Sequence, residues 1–161
     1  MTSTCAAAKQ VLELCRARGL RVATAESCTG GLVAAALTEI AGSSDVVDRG
    51  FVTYSNEAKT ELLGVPQSIL KRYGAVSAQT AKVMAAGALK NSHADIAISI
   101  TGIAGPGGGT KQKPVGLVHF AAARRGGRRI ARKRLYGDIG RGRVRQRSVV
   151  DALEMLALLA Q

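Results

Sequence analysis

The sequence predicts an α/β protein, a three-layer α/β/α sandwich built on a mixed sheet with a late antiparallel hairpin. Three observations carry that reading. Helical and extended patterns alternate along most of the 161 residues, which is how chains that lay helices over both faces of a largely parallel sheet read. Near the end, two extended runs are separated only by Arg125-Gly126-Gly127; that is too short for a crossover, so they pair antiparallel. Aromatic residues make up 3% of the chain and Trp is absent, so Ala, Val, Leu and Gly must fill the core, which favours close packing of helices on a sheet. With 47% hydrophobic residues the chain can bury one core, and a single domain over 1–161 is expected.

Each element has a local reason. Ala7, Ala8, Val11, Leu14 and Cys15 recur at helical spacing, and Gly19 stops that first helix. Leu20 to Thr24 reads as a short strand, and the Ala-rich stretch Leu32–Ile40 as a helix ended by Ala41-Gly42. Val46 to Tyr54 reads as extended, with a break expected at Gly50. Asn56 is expected to cap a helix through Leu63, with Gly64 as its stop, and Pro66 to open a turn to Tyr73. Ser77 caps a helix whose face is Ala81, Met84, Ala85, Ala88 and Leu89. Ala94 to Ile100 reads as a buried strand. Val115–Ala123 and Arg128–Tyr136 form the hairpin, and a final helix from Gly142 to Leu159 turns Val149, Ala152, Leu153, Leu156 and Leu159 inward.

The net charge of +12 is concentrated. Between Arg124 and Arg147 there are eleven basic residues and one acidic residue, Asp138, so ten of the twelve excess positive charges lie there. A local excess suits an anionic substrate, a nucleic-acid backbone or an exposed sheet edge. Met1–Gln10 has no secretory signature, and no apolar stretch reaches bilayer length. Cys5, Cys15 and Cys28 are odd in number and fit free thiols in a reducing compartment, hence a cytoplasmic protein. His93 and His119 stand alone, so neither a metal nor another cofactor is expected.

Four segments could carry chemistry. In Ser27-Cys28-Thr29-Gly30-Gly31 a strand enters a helix. Free N–H groups there bind anions, Gly30 and Gly31 permit close approach, and Ser27 is placed as a nucleophile. The plainer alternative is that Ser27 or Thr29 only caps the helix. Cys28 competes as nucleophile, since a helix start lowers a thiol pKa. In Tyr54-Ser55-Asn56-Glu57-Ala58-Lys59, Tyr54 and Lys59 could converge on a pocket, where a partly buried lysine serves as a base; on an exposed helix Lys59 would simply be solvated. The Gly102–Gly109 loop lacks the P-loop and dinucleotide spacings, but it follows a buried strand, where open α/β sheets bind ligands. Arg141, Arg143, Arg145 and Arg147 fall at the start of the last helix, and Arg145 shares the inward face with Val149. Arg124, Arg125, Arg128 and Arg129 flank a turn and are expected to point into solvent.

Taken in order, Thr24–Gly31, Gly50–Lys59, Gly74-Ala75-Val76-Ser77, Thr101–Pro106 and Lys113-Pro114-Val115-Gly116 resemble the C-terminal domain of competence-damage-inducible protein A, the family of nicotinamide-nucleotide amidases. The resemblance runs from about residue 5 to residue 158. It implies hydrolysis of nicotinamide mononucleotide to nicotinate mononucleotide and ammonia, in pyridine nucleotide salvage. It implies Ser27, Tyr54 and Lys59 as catalytic residues, and Thr29, Asn56, Thr101, Gly102, Gly105 and Arg145 as substrate contacts beside Gly30 and Gly31. The run between Gly137 and Val144 departs from the family pattern, and Arg145 is carried across it. Many relatives have an additional N-terminal domain, and this chain resembles the stand-alone form. The expected partners are the nucleotide substrate and further copies of the chain, not nucleic acid or membrane. The competing reading is a binding module with little or no catalysis, tied to competence or a DNA-damage response.

Overall fold

The structure, a computed structural model, describes residues 2–161. The chain runs α1 (Thr4–Arg18), β1 (Val22–Glu26), α2 (Leu32–Thr38), β2 (Val47–Val52), α3 (Asn56–Leu63), α4 (Gln67–Tyr73), α5 (Ala78–Lys90), β3 (Ile96–Gly102), β4 (Leu117–Arg124), β5 (Arg129–Leu135) and α6 (Arg141–Ala160). One 3₁₀ turn, Ser43–Asp45, precedes β2. The five strands form one sheet in the order β2-β1-β3-β4-β5. β1 is parallel to both β2 and β3, and β4 and β5 continue antiparallel. This is the mixed sheet with a late hairpin.

Side chains alternate across the strands, and the two faces differ in size. Val22, Ile96, Ile98, Ile100, Val118 and Phe120 face α1, α2 and α6. Ala23, Ala25, Ala97, Ala121 and Ala123 face α3, α4 and α5. The alanine face lets α5 sit close to the sheet. Gly87 extends the same economy to its other side: a Cβ there would lie 1.9 Å from the carbonyl oxygen of Leu63, so α5 meets the end of α3 backbone to backbone.

Several local expectations are corrected. Leu20 does not open β1; its N–H closes the end of α1 on the carbonyl of Cys15, and the strand starts at Val22. In α1 the fully buried leucine is Leu12, while Leu14 is half-buried. β2 runs unbroken through Gly50. The irregularity falls two residues earlier: Val22 pairs with Val47 and Ala23 with Arg49, which leaves Asp48 out of register. Asp48 instead accepts the N–H of His93 and pairs with Arg21 and Arg49. The cap of α3 is Ser55, whose Oγ accepts from the N–H of Ala58; Asn56 is the first helical residue. At the hairpin, Arg125, Arg128 and Arg129 are exposed and Arg124 is half-buried; Arg124 nevertheless donates to the carbonyl of Leu159, and Arg125 to those of Leu89 and Ala94. Those two arginines satisfy carbonyls near the ends of α6 and α5, which carry the negative end of the helix dipole.

The chain leaves β1 to one side for β2 and returns on the other side as β3. The C-terminal ends of β1, β2 and β3 therefore border a topological switch point, the usual ligand crevice of an open α/β sheet.

Candidate active site

The site starts with how β1 ends. Glu26 is fully buried, and its carboxylate accepts from the N–H groups of Val33 at 2.9 Å and Ala34 at 3.1 Å. It supplies the cap of α2 from the strand side, bridging two of the N–H groups a helix start leaves open. The intervening turn passes through Gly30 at φ 58° and Gly31 at φ 105°, a backbone that side chains beyond glycine disfavour. Neither Ser27 nor Thr29 caps α2, so the Ser27 hydroxyl is available for other work.

That hydroxyl meets Lys59, which stands on the inner side of α3 at 1% exposure. Its Nζ lies 3.0 Å from Ser27 Oγ, 2.8 Å from the Thr53 carbonyl and 3.4 Å from the Tyr54 carbonyl. No carboxylate accompanies it among the described residues. Burial without a counter-charge disfavours the ammonium, so the Lys59 pKa lies below the ordinary lysine value. All three neighbours are oxygens that accept from Nζ; once the amine is neutral, two N–H bonds can go to the two carbonyls and the lone pair can turn to the serine O–H. Cys28, next in the chain, is in the opposite situation. Burial pushes its thiol up to about 12, so near neutral pH it is protonated and weakly nucleophilic.

Ser27, Cys28, Tyr54, Asn56, Lys59, Thr101, Gly102 and Arg141 are among the residues lining a cleft of about 230 Å³. Pockets that enclose whole drug-sized ligands run about 300–1,000 Å³, so this cleft is too small to enclose a ligand of that size whole. Tyr54 is 61% exposed at its mouth. Its hydroxyl accepts from Arg141 Nη2 at 2.9 Å, and Arg141 Nη1 donates to the Gly105 carbonyl at 3.0 Å. Thr101 is fully buried and donates to the carbonyl of Ala75. Thr29, Gly30 and Gly31 form the turn beside the cleft, and the buried Thr29 hydroxyl has no partner among the described residues. Arg145 does not line the cleft; its Nε donates to the Cys28 carbonyl at 3.1 Å and its Nη2 to the Thr29 carbonyl at 3.3 Å.

Ser27, Tyr54, Asn56, Lys59, Thr101 and Gly102 border the same cleft, with Gly105 one hydrogen bond away through Arg141. Of the four arginines expected at the start of the last helix, Arg145 was the one carried into the pocket, whereas Arg141 is the one that borders the cleft. The available signal was spacing: Arg141 and Arg145 are one turn apart on the same helix face, and periodicity alone does not say which of the two reaches the cleft. Among the described residues no three His, Cys, Asp or Glu side chains converge as a metal site.

A parallel-centred α/β sandwich with a serine and a buried lysine in contact at the strand ends defines a class of α/β proteins that carry a serine–lysine pair in the ligand crevice. Within it, the chain belongs to the family of the CinA C-terminal domain, whose family model matches residues 4–159. It is 52% identical over 149 residues to the nicotinamide-nucleotide amidohydrolase PncC of Escherichia coli K12, covering 92% of this chain and 89% of that one. It is also 52% identical over 146 residues to a competence-damage inducible protein of Caldicellulosiruptor bescii, covering 91% of this chain but 35% of that one. The chain thus spans about a third of that longer relative. The crystal structure of competence/damage inducible protein CihA from Agrobacterium tumefaciens superposes with a TM-score of 0.98 at 55% identity, over 100% of this chain and 98% of that one.

Proposed function

We propose that this chain hydrolyses the carboxamide of nicotinamide mononucleotide, releasing ammonia and leaving nicotinate mononucleotide. The observation that carries the reading is the 3.0 Å contact between Lys59 Nζ and Ser27 Oγ, made by a lysine with no carboxylate partner. The activity named for the Escherichia coli relative, matched over 92% of this chain, supports the choice of substrate.

The steps follow from the geometry. Ser27 Oγ attacks the carboxamide carbon while its proton passes to Lys59 Nζ, and the carbonyl pair moves onto oxygen. Lys59 returns the proton to the amide nitrogen, the C–N bond breaks, and ammonia leaves an ester on Ser27. Water, deprotonated by Lys59, cleaves that ester to the carboxylate and restores the serine. The Thr53 and Tyr54 carbonyls keep the amine aimed throughout. The pyridine ring fits the small cleft, and ribose and phosphate lie at its mouth beside Tyr54, Asn56 and Arg141. The guanidinium of Arg141 is the cation placed to take the phosphate, whereas the resemblance made Arg145 the substrate contact.

The same reading makes residues 1–161 one catalytic domain that needs no cofactor, works in the cytoplasm and assembles with copies of itself, not with nucleic acid. Two features accord with it: no described helix is long and apolar enough to cross a membrane, and Cys5, Cys15 and Cys28 are all unpaired. The test is ammonia release from nicotinamide mononucleotide by the purified chain and its Ser27→Ala variant. Rapid release lost in the variant is expected. No release from the parent chain, or undiminished release from Ser27→Ala, would reject the reading.

A further inference from the structure

We infer that Arg145 is a positioning residue that aims the oxyanion-binding N–H groups of the nucleophile turn and does not touch the substrate. The inference rests on the amidase reading above and deepens it. Attack on an amide places a negative charge on the carbonyl oxygen, and hydrogen-bond donors already aimed at that oxygen contribute most to catalysis when they need not reorganise.

Three consecutive peptide units begin at Ser27, and each is held by its carbonyl. The Ser27 carbonyl accepts from the N–H of Gly30 at 3.0 Å. The Cys28 carbonyl accepts from Arg145 Nε at 3.1 Å, and the Thr29 carbonyl takes Arg145 Nη2 at 3.3 Å. In a trans peptide the N–H points opposite to the C=O. Holding the Ser27 and Cys28 carbonyls therefore directs the N–H groups of Cys28 and Thr29 the other way. Those two N–H groups donate to no other residue among the described ones, and Cys28 borders the cleft beside Ser27. They are the donors an oxyanion would use. Arg145 approaches from α6, on the far side of the turn, with Nη2 3.5 Å from where a Cβ of Gly30 would stand. Both of its hydrogen-bonded nitrogens are committed to backbone.

Truncating Arg145 frees the Cys28 peptide to rotate and removes donors only from the charged transition state. Arg145→Ala should lower kcat on the order of 10²-fold, near what loss of one oxyanion donor costs. KM should stay within about twofold, because uniform binding is untouched. The loss should be equal on the mononucleotide and on nicotinamide riboside, which lacks the phosphate. A more direct readout uses the mononucleotide with an aldehyde in place of the carboxamide. Ser27 Oγ adds to the aldehyde carbon, the serine proton passes to Lys59, and the carbonyl pair becomes an oxyanion. Arg145→Ala should weaken this adduct by about the same factor as kcat. In a Ser27→Ala background it should leave mononucleotide affinity unchanged. Added methylguanidinium should restore part of kcat, and Arg145→Lys, retaining a donor and bulk, should fall between. If Arg145→Ala is too unstable to purify, the Arg145→Lys comparison of adduct against ground-state affinity decides alone. An unchanged kcat, or a KM rise confined to the mononucleotide, overturns the inference and leaves the amidase reading standing. A parent chain that releases no ammonia rejects both.

Discussion

Two charged groups are buried at different places on this sheet, and they are treated in opposite ways. Asp151 on α6 is 8% exposed and accepts from Arg132 Nη1 at 2.6 Å, Arg134 Nε at 2.9 Å and the hydroxyl of Tyr136. Burial pushes its carboxyl up, but the Arg134, Tyr136 and Arg132 donors outweigh that and hold it below the usual carboxylate range. Lys59 on α3 is more deeply buried and has only one hydroxyl and two carbonyls for company. One charge is fully matched and ties β5 to α6. The other is unmatched, so its charged form is disfavoured, and the neutral form is a base resting on a serine. The difference teaches where this fold accepts an unfavourable environment: at the crevice where chemistry is proposed.

The sharpest break of that comparison is in activity. Ser27→Ala and Lys59→Ala should each lower kcat on the order of 10⁴-fold or more, and the double variant should be scarcely slower than either, because residues acting as a unit are not additive. Steady-state ammonia release checks this; a double loss equal to the product of the single losses would show that the two act separately. Asp151→Asn should do the reverse. Activity per folded molecule should persist, while denaturant unfolding loses about 2 kcal/mol, below the cost of breaking a fully buried pair because the Arg134 side chain is 45% exposed. The folded carboxyl lies below its unfolded value of about 3.9, so its stabilisation is present above that pH and fades as pH falls through the folded value. The gap between parent and variant should therefore close in acid.

A smaller effect of opposite sign is expected at Lys59. Its folded pKa is depressed, so below the ordinary lysine value of about 10.4 the unfolded chain binds more protons, and the buried amine costs stability. Lys59→Met, inactive, should unfold with about 1 kcal/mol more stability near neutral pH, a gain that shrinks as pH rises toward 10.4. For the parent enzyme, kcat/KM should rise with pH through the depressed Lys59 value and level off below the ordinary lysine range. Loss of stability in Lys59→Met at neutral pH would mean that its hydrogen bonds outweigh its desolvation. The smallest effect belongs to Cys28→Ser, which should retain activity within about tenfold, since a thiol held protonated contributes little as a nucleophile. Complete loss with an intact fold would move the nucleophile to Cys28.

What the sequence determined by itself was pattern. The compact run Ala94–Ile100, with Ile96, Ile98 and Ile100, marked a buried strand, and Gly19, Gly64 and Ser77 marked helix ends, because backbone geometry and local hydrogen bonding act within a few residues. The strand-to-helix turn at Ser27–Gly31 and the run Tyr54–Lys59 were legible as sites for the same reason, aided by a family resemblance that joined them. Tertiary structure decided everything that depends on what lies across space. Ser27 and Lys59 are 32 residues apart, and neither the charge state of Lys59 nor the inertness of Cys28 exists until burial removes water from both. Arg141 and Arg145 share one helical face, but packing sends the first into the cleft and the second onto the carbonyls behind it. Arg125, expected in solvent, is exposed but also satisfies backbone carbonyls in and just after the last turn of α5. A guanidinium is long and has several donors, so its partner is set by whichever unmet acceptors the assembled fold brings within reach, and local sequence does not encode that.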